Sequence, residues 1–171
     1  VVYAEGEEET VLLAVQTGLR LSELTGLQRE SLSVGVGAHV QVIGKGRKER
    51  SVPLWRSTVK AIRAWLRFNA DLGPTSALLP NRGGQAMTRS NVTQRLALAV
   101  KAATSTTPSL AKRSISPHTL RHTTAMHLLQ SGVELSVIAL WLGHESVETT
   151  HVYLEADLQT KERALNKVTP A

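Results

Sequence analysis

The segment SPHTLRHTTAMHLLQSG, residues 116–132, sets His118, Arg121 and His122 beside Ala125 and Leu129. Separations of three, one, three and four residues predict one shared helix face, turned toward the core. A guanidinium on an inward face is costly unless something negative meets it. That partner is either a carboxylate elsewhere in the chain or an anionic ligand. TGLRLSEL repeats the situation, with Arg20 two residues after Gly18 and ahead of Leu21 and Leu24. An ion pair with Glu23, three residues on, is the local alternative. Two such arginines could also clamp one phosphate, because guanidinium forks match phosphate oxygens in pairs and stay charged at cellular pH.

IGKGRKERSVPL carries Lys45, Arg47, Lys48 and Arg50 against the single acid Glu49. It reads as a solvated turn or as a basic tip suited to a DNA groove. In LWLGHESVETTHVYLEAD, His144 follows Gly143 and Tyr153 comes nine residues later. The apolar stripe there is Val147, His151, Leu154 and Leu158, and Tyr153 sits about 100° off it, so its phenol is not simply a core group. His118 and His122 are four apart, as in helical zinc sites. Such a site needs Glu directly after the first histidine, and Thr119 stands there.

The elements that carry these groups follow from periodicity. Acids open the chain, and Val11, Leu12, Val15 and Leu19 then form a helical stripe that Gly18 breaks. A short helix is expected through RLSELTGL. Alternating valines predict strands at about 30–34, 39–43 and 50–53, with GKGRK as the turn joining the last two. A helix is expected from Trp55 to about Asn69 through Val59, Ile62, Trp65 and Leu66, and another in TRSNVTQRLALAVKAA through Val92, Leu96 and Ala99. TSTTPSLAKRSIS reads as a polar, flexible connector. Pro117 and Gly132 bound the helix of the opening segment. Helices at about 134–141 and 147–153, the latter capped by Ser146, precede a polar tail helix. The expected fold is mainly α (α+β): one catalytic domain over 1–171 with a small three-stranded antiparallel sheet, and a tail at about 155–171 that is mobile or exchanged between protomers.

The 171 residues carry 20 Lys and Arg against 14 Asp and Glu, for a net charge of +6. A basic surface favours polyanionic partners. With no cysteine, disulfide scaffolds and thiolate metal sites are excluded, and the chain suits a reducing cytoplasm. No signal-peptide pattern is present, and no apolar run approaches the ~20 residues that span a bilayer.

TGLRLSEL, GKGRKERSVPL, HTLRHTTAMHLLQSG, WLGH and THVYL, in that order, resemble the catalytic domain of the tyrosine recombinases, the phage-integrase and Xer-like site-specific recombinases. The resemblance runs from about Glu8 to Asn166. It implies a catalytic set of Arg20, Lys45, His118, Arg121, His144 and Tyr153, with Glu23 bracing the arginine region. It implies metal- and ATP-independent cleavage and rejoining of double-stranded DNA through a 3′-phosphotyrosyl link, with no cofactor. Arg47, Lys48, Arg50, Lys112 and Arg113 are the expected DNA contacts. The family carries a separate helical domain ahead of this one, so residues 1–171 alone should bind DNA weakly. A tetramer on DNA is expected for the parent protein, a monomer for this domain, and no membrane partner. The rival readings are a type IB topoisomerase-like enzyme, which shares the chemistry without strand exchange, and a non-catalytic helix-turn-helix DNA-binding module around residues 131–154.

Overall fold

Helix α1 spans Val2–Thr17, and the chain then turns through Gly18 into α2, Leu21–Thr25. This computed structural model describes residues 2–145, 149, 151, 157, 158 and 161, with side chains from Glu9 onward. Its remaining elements are β1 (Leu32–Ser33), β2 (His39–Ile43), β3 (Glu49–Pro53), α3 (Arg56–Phe68), α4 (Arg89–Thr104), α5 (Pro117–Gln130) and α6 (Leu135–Leu142). The strands form an antiparallel sheet in the order β1-β2-β3. Leu32 pairs with Val40, and Val40 with Val52, so one face of the sheet is apolar and buried. The chain is therefore mostly helical with one small antiparallel sheet, as the alternation of valines predicts.

The buried stripe of α1 is not the one expected. Leu13 is fully buried, while Val15 is exposed and Val11 and Leu12 are half-buried. The other inward positions are polar: Glu9, Thr10, Gln16 and Thr17. Helix α1 packs against α3, α4 and α5, which surrounds it more completely than a surface stripe assumes. Hydrogen bonds make the polar burial tolerable. Gln16 donates to the Pro53 carbonyl (2.9 Å) and accepts from the Trp55 backbone N–H (3.1 Å). Thr17 donates to the Leu13 carbonyl.

Two apolar clusters result. The larger joins Leu13, Leu19, Leu24 and the sheet valines to Ile62, Trp65 and Val92. The smaller joins Ala125 and Leu128 of α5 to Ile138 and Leu142 of α6. Trp141 packs against both, and its indole N–H donates to the Thr17 carbonyl (3.1 Å). That bridge fixes the end of α6 against the end of α1. Local signals set the helix starts. Ser116 and Thr119 exchange backbone-to-side-chain bonds (both 3.2 Å) at the head of α5, and Thr88 and Asn91 do so at the head of α4. The connector before α5 is not wholly irregular, since Pro108–Lys112 forms a 3₁₀ turn. Most of the predicted 147–153 helix and of the tail at about 155–171, and Tyr153 with them, lie outside the described residues. Of the stripe assigned to that segment, His151 and Leu158 are described and both are exposed; Asp157 is the buried residue, held by Gln130 (3.5 Å) and Lys161 (2.8 Å). A carboxylate satisfied by two partners occupies the inward position expected for Leu158 or His151.

Candidate functional site

The end of α6 is the centre of the site. Gly143 closes that helix in the left-handed region (φ 69°, ψ 36°), and the His144 N–H returns to the Ala139 carbonyl (2.9 Å). This is the glycine-terminated helix end that WLGH predicts. Glycine is required twice over, because a Cβ here would come within 2.7 Å of the Arg50 guanidinium. Helix ends leave carbonyls without intrahelical partners and carry partial negative charge. Three arginines meet three successive carbonyls. Arg50 Nε donates to Trp141 O (2.9 Å), Arg121 Nη2 to Leu142 O (2.7 Å), and Arg20 Nη2 to Gly143 O (3.4 Å).

Each arginine arrives on a different element. Arg121 is on the inward face of α5, buried with Thr124, Ala125 and Leu128. It also donates to the carbonyl of Gly18, the glycine that ends α1. This corrects the predicted α5 face, which is rotated by about 60° from the expected one. His118 is exposed and His122 and Leu129 are half-buried. Helix α5 meets α1 through Thr124, whose hydroxyl donates to the Val15 carbonyl, so that packing sets the rotation. His118 lies in the first turn, beyond the packed region, and lines an open cleft.

Arg20 is the residue just before α2. Its backbone N–H is accepted by Glu23 Oε2 (2.8 Å), and its side chain reaches Glu23 Oε1 (3.2 Å). The local ion pair foreseen from TGLRLSEL therefore exists, yet the Arg20 side chain remains 39% exposed. Glu23 is far more deeply placed and has a closer partner, Arg50, which meets its two oxygens in a fork at 2.9 Å each. Burial alone would raise the Glu23 carboxyl. Hydrogen bonds from Arg50 and the Arg20 backbone, with the charges of both arginines, outweigh it and hold Glu23 below the ordinary carboxylate value. Arg50 thus departs from the expected DNA contact: its guanidinium is spent on Glu23 and Trp141, and its side chain is only 13% exposed. Strand alternation puts it on the same face as the fully buried Val52. That period-two signal was present in KERSVPL and would have identified the residue.

Two adjoining clefts open on this cluster. One, of about 570 Å³, is lined by Arg20, Thr93, Pro117, His118, Arg121 and His144. The other, of about 380 Å³, is lined by Arg20, Lys45, Lys48, Glu49, Arg50 and His144. Arg20, His144 and Thr149 belong to both walls. Five of the six sequence-derived catalytic candidates are therefore brought together; the sixth, Tyr153, lies outside the described residues. The hairpin tip holds Lys45, Arg47 and Lys48 exposed around a turn in which Arg47 takes a left-handed backbone (φ 58°). Lys112 and Arg113 are exposed at the end of the 3₁₀ turn and line neither cleft. Burial first, then the charges of Arg121, Arg20 and Arg50, push the His144 imidazole down to about 4. It is neutral at pH 7 and can offer an N–H without adding charge. The arrangement is a half-open, positively charged pocket able to hold a tetrahedral anion and move protons at its edge. Among the described residues no group of three or more His, Asp or Glu could hold a metal ion. No helix among them is long and apolar enough to cross a membrane.

Comparison with known proteins agrees with this geometry. Residues 7–160 match the phage integrase family. The putative integrase/recombinase y4rC of Sinorhizobium fredii is 51% identical over 160 residues, covering 94% of this chain and 48% of the relative. Tyrosine recombinase XerD of Pseudomonas aeruginosa is 41% identical over 140 residues, covering 80% of this chain and 45% of the relative. The chain thus spans about half the length of these curated relatives. Among solved structures, XerH site-specific recombinase bound to palindromic difH substrate in a post-cleavage complex aligns with a TM-score of 0.78 at 26% identity. That alignment covers 94% of this chain and 45% of the other. XerA recombinase shares the fold, with a TM-score of 0.73 at 21% identity over 97% of this chain and 58% of that one.

Proposed function

From the premise that this chain belongs to the phage integrase family, we propose that it is the strand-cleaving part of a tyrosine-type site-specific recombinase acting on double-stranded DNA. A backbone phosphodiester is anionic and resists attack, so its non-bridging oxygens must be neutralised in the transition state. Arg20 and Arg121 supply that charge, and neutral His144 supplies a further hydrogen bond. The Tyr153 phenol oxygen attacks phosphorus while His118 takes the phenolic proton. The bond from phosphorus to the 5′ oxygen breaks, and Lys45 protonates the leaving oxygen. The product is a 3′-phosphotyrosyl link and a free 5′ hydroxyl. Attack by a 5′ hydroxyl on that link reverses the step, so rejoining needs no ATP, and the arginines do the work a metal pair does in other nucleases.

The observation that carries this reading is the shared cleft of Arg20, His118, Arg121 and His144, with Lys45 on its continuation. The XerH neighbour, described as a post-cleavage complex with its difH substrate, supports DNA as the partner. Lys48 and Arg47 on the hairpin, and Lys112 and Arg113 beyond the cleft, are the side chains proposed to meet backbone phosphates. A tetramer on DNA is proposed for the complete protein.

The test is a suicide duplex carrying a nick, incubated with the protein in EDTA. A covalent 3′ adduct is expected with the unaltered chain and none with Tyr153→Phe, which should retain the helical circular dichroism spectrum. An adduct in Tyr153→Phe would remove Tyr153 as nucleophile. Lys45→Ala should recover on a substrate with a 5′-bridging sulfur, whose departure needs no proton; no recovery would remove Lys45 as the acid.

A further inference from the structure

One carboxylate lies between two guanidiniums, and it is shared unequally. Arg50 grips both Glu23 oxygens in a fork at 2.9 Å and spends its Nε on the Trp141 carbonyl. Arg20 makes one side-chain contact with Glu23 at 3.2 Å and two long contacts with the Gly143 carbonyl, at 3.4 and 3.5 Å. A forked pair is the stronger of the two arrangements. Were Arg50 absent, Glu23 would hold its negative charge against Arg20 alone, three residues away on the same turn. A guanidinium closed on a buried carboxylate has less charge and fewer donors to give a phosphate.

We propose that Arg50 is a positioning residue that neutralises Glu23, and by doing so keeps the Arg20 guanidinium available to an anion in the cleft. The proposal rests on the reading of Arg20 as a phosphate ligand. The carboxylate cannot simply be dispensed with in the native site, because Oε2 also accepts the Arg20 backbone N–H and so sets the start of α2. Arg50 lets the chain keep that cap without surrendering the arginine beside it. Its contact with the Trp141 carbonyl adds a second effect. It ties β3 to the end of α6, the place where Arg121 and Arg20 find the Leu142 and Gly143 carbonyls. The arginine therefore acts through Glu23 and the α6 terminus, and touches no part of the substrate.

The idea makes an unusual demand on paired substitutions. Arg50→Met removes the charge at nearly constant bulk and should slow adduct formation by about 10²-fold, the scale of losing a transition-state donor. Glu23→Gln alone leaves Arg50 buried without its counter-charge and should also be slow. The double variant removes both charges, frees Arg20, and should come back to within about tenfold of the unaltered chain. Arg50→Lys keeps a neutralising charge without the fork and should be at least tenfold faster than Arg50→Met. In the double variant the slope of log affinity against log salt for a short duplex should return to that of the unaltered chain, whereas a direct phosphate contact by Arg50 would leave it lower by about 0.9. A double variant as slow as Arg50→Met, a Lys variant no better than Met, or a salt slope still reduced in the double variant would each overturn the proposal. If the unaltered chain forms no adduct, the cleavage reading fails, and duplex affinity at low salt reads the same cycle. The order expected there is the unaltered chain, then the double variant, then Arg50→Met, and any other order overturns the role of Arg50. If Arg50→Met does not fold, Arg50→Gln carries the same comparison: alone it should be slow, paired with Glu23→Gln it should recover to within about tenfold of the unaltered chain, and a pair as slow as Arg50→Gln overturns the role of Arg50.

Discussion

The hairpin tip and the end of α6 both gather positive charge, and they treat it in opposite ways. At the tip, Lys45, Arg47 and Lys48 project into solvent. At the α6 terminus, Arg50, Arg121 and Arg20 meet three backbone carbonyls in succession, with Glu23 beside them. Arg50 belongs to the same basic run as the tip and lies only two residues from Lys48. Exposed cations attract a polyanion over a distance and lose strength with salt. Buried cations hold a fixed geometry and keep their strength because water cannot compete. Apart from Lys45, which also lines the cleft, the tip is suited to capture and the α6 terminus to chemistry, and the low exposure of Arg50 and Arg121 makes the difference.

That contrast is broken most severely at Arg121. Arg121→Ala would leave the Gly18 and Leu142 carbonyls without this donor and take a charge from the cleft. Adduct formation should fall by about 10²–10³-fold, while the salt slope changes little. A loss under tenfold would mean that the anion is held elsewhere. Gly143→Ala comes next. It places a Cβ 2.7 Å from the Arg50 guanidinium at φ 69°, so strain and overpacking should together cost about 3 kcal/mol in a denaturant titration.

The pH dependence sharpens the same point, since His144 faces Arg121, Arg20 and Arg50. Its folded value of about 4 lies below the ordinary 6.5, so the unfolded chain binds more protons between those limits. Stability should therefore rise with pH from about 4 to 6.5 and be lost on acidification, by about 2 kcal/mol from this residue once water's screening of the partly exposed ring is allowed for. His144→Gln should flatten that stretch of the melting-temperature profile. Glu23 contributes only lower down: its depressed carboxyl gives stability that is present above its ordinary value of 4.5 and lost as pH falls below it. The smallest effect belongs to the tip. Arg47→Gly relieves a left-handed backbone and should leave stability unchanged or raised by about 0.5 kcal/mol. It should lower the salt slope of duplex binding by about 0.9.

Much of this was legible before any coordinates. Alternating valines marked β2 and β3, Pro117 marked the start of α5, and Gly143 marked the end of α6, because each signal is local and concerns a residue's own backbone. Inward faces were harder. The α1 stripe and the rotation of α5 depended on how many neighbours surround each helix, and polar Gln16 and Thr124 were drawn inside by bonds to carbonyls distant in sequence. Arg50 was hard to place for a different reason. Its charge suggested solvent, although its register with Val52 pointed inward.

By itself the order of residues determined which groups could form the site, since Arg20, Lys45, His118, Arg121 and His144 stand in motifs that resemble those of the tyrosine recombinases, and Tyr153 is named on that resemblance alone. Only the tertiary structure decided how charge is divided among them. One carboxylate lies between two guanidiniums, and which one it grips more firmly depends on strand register and on where α6 ends. Those are long-range packing outcomes, and no local pattern records them.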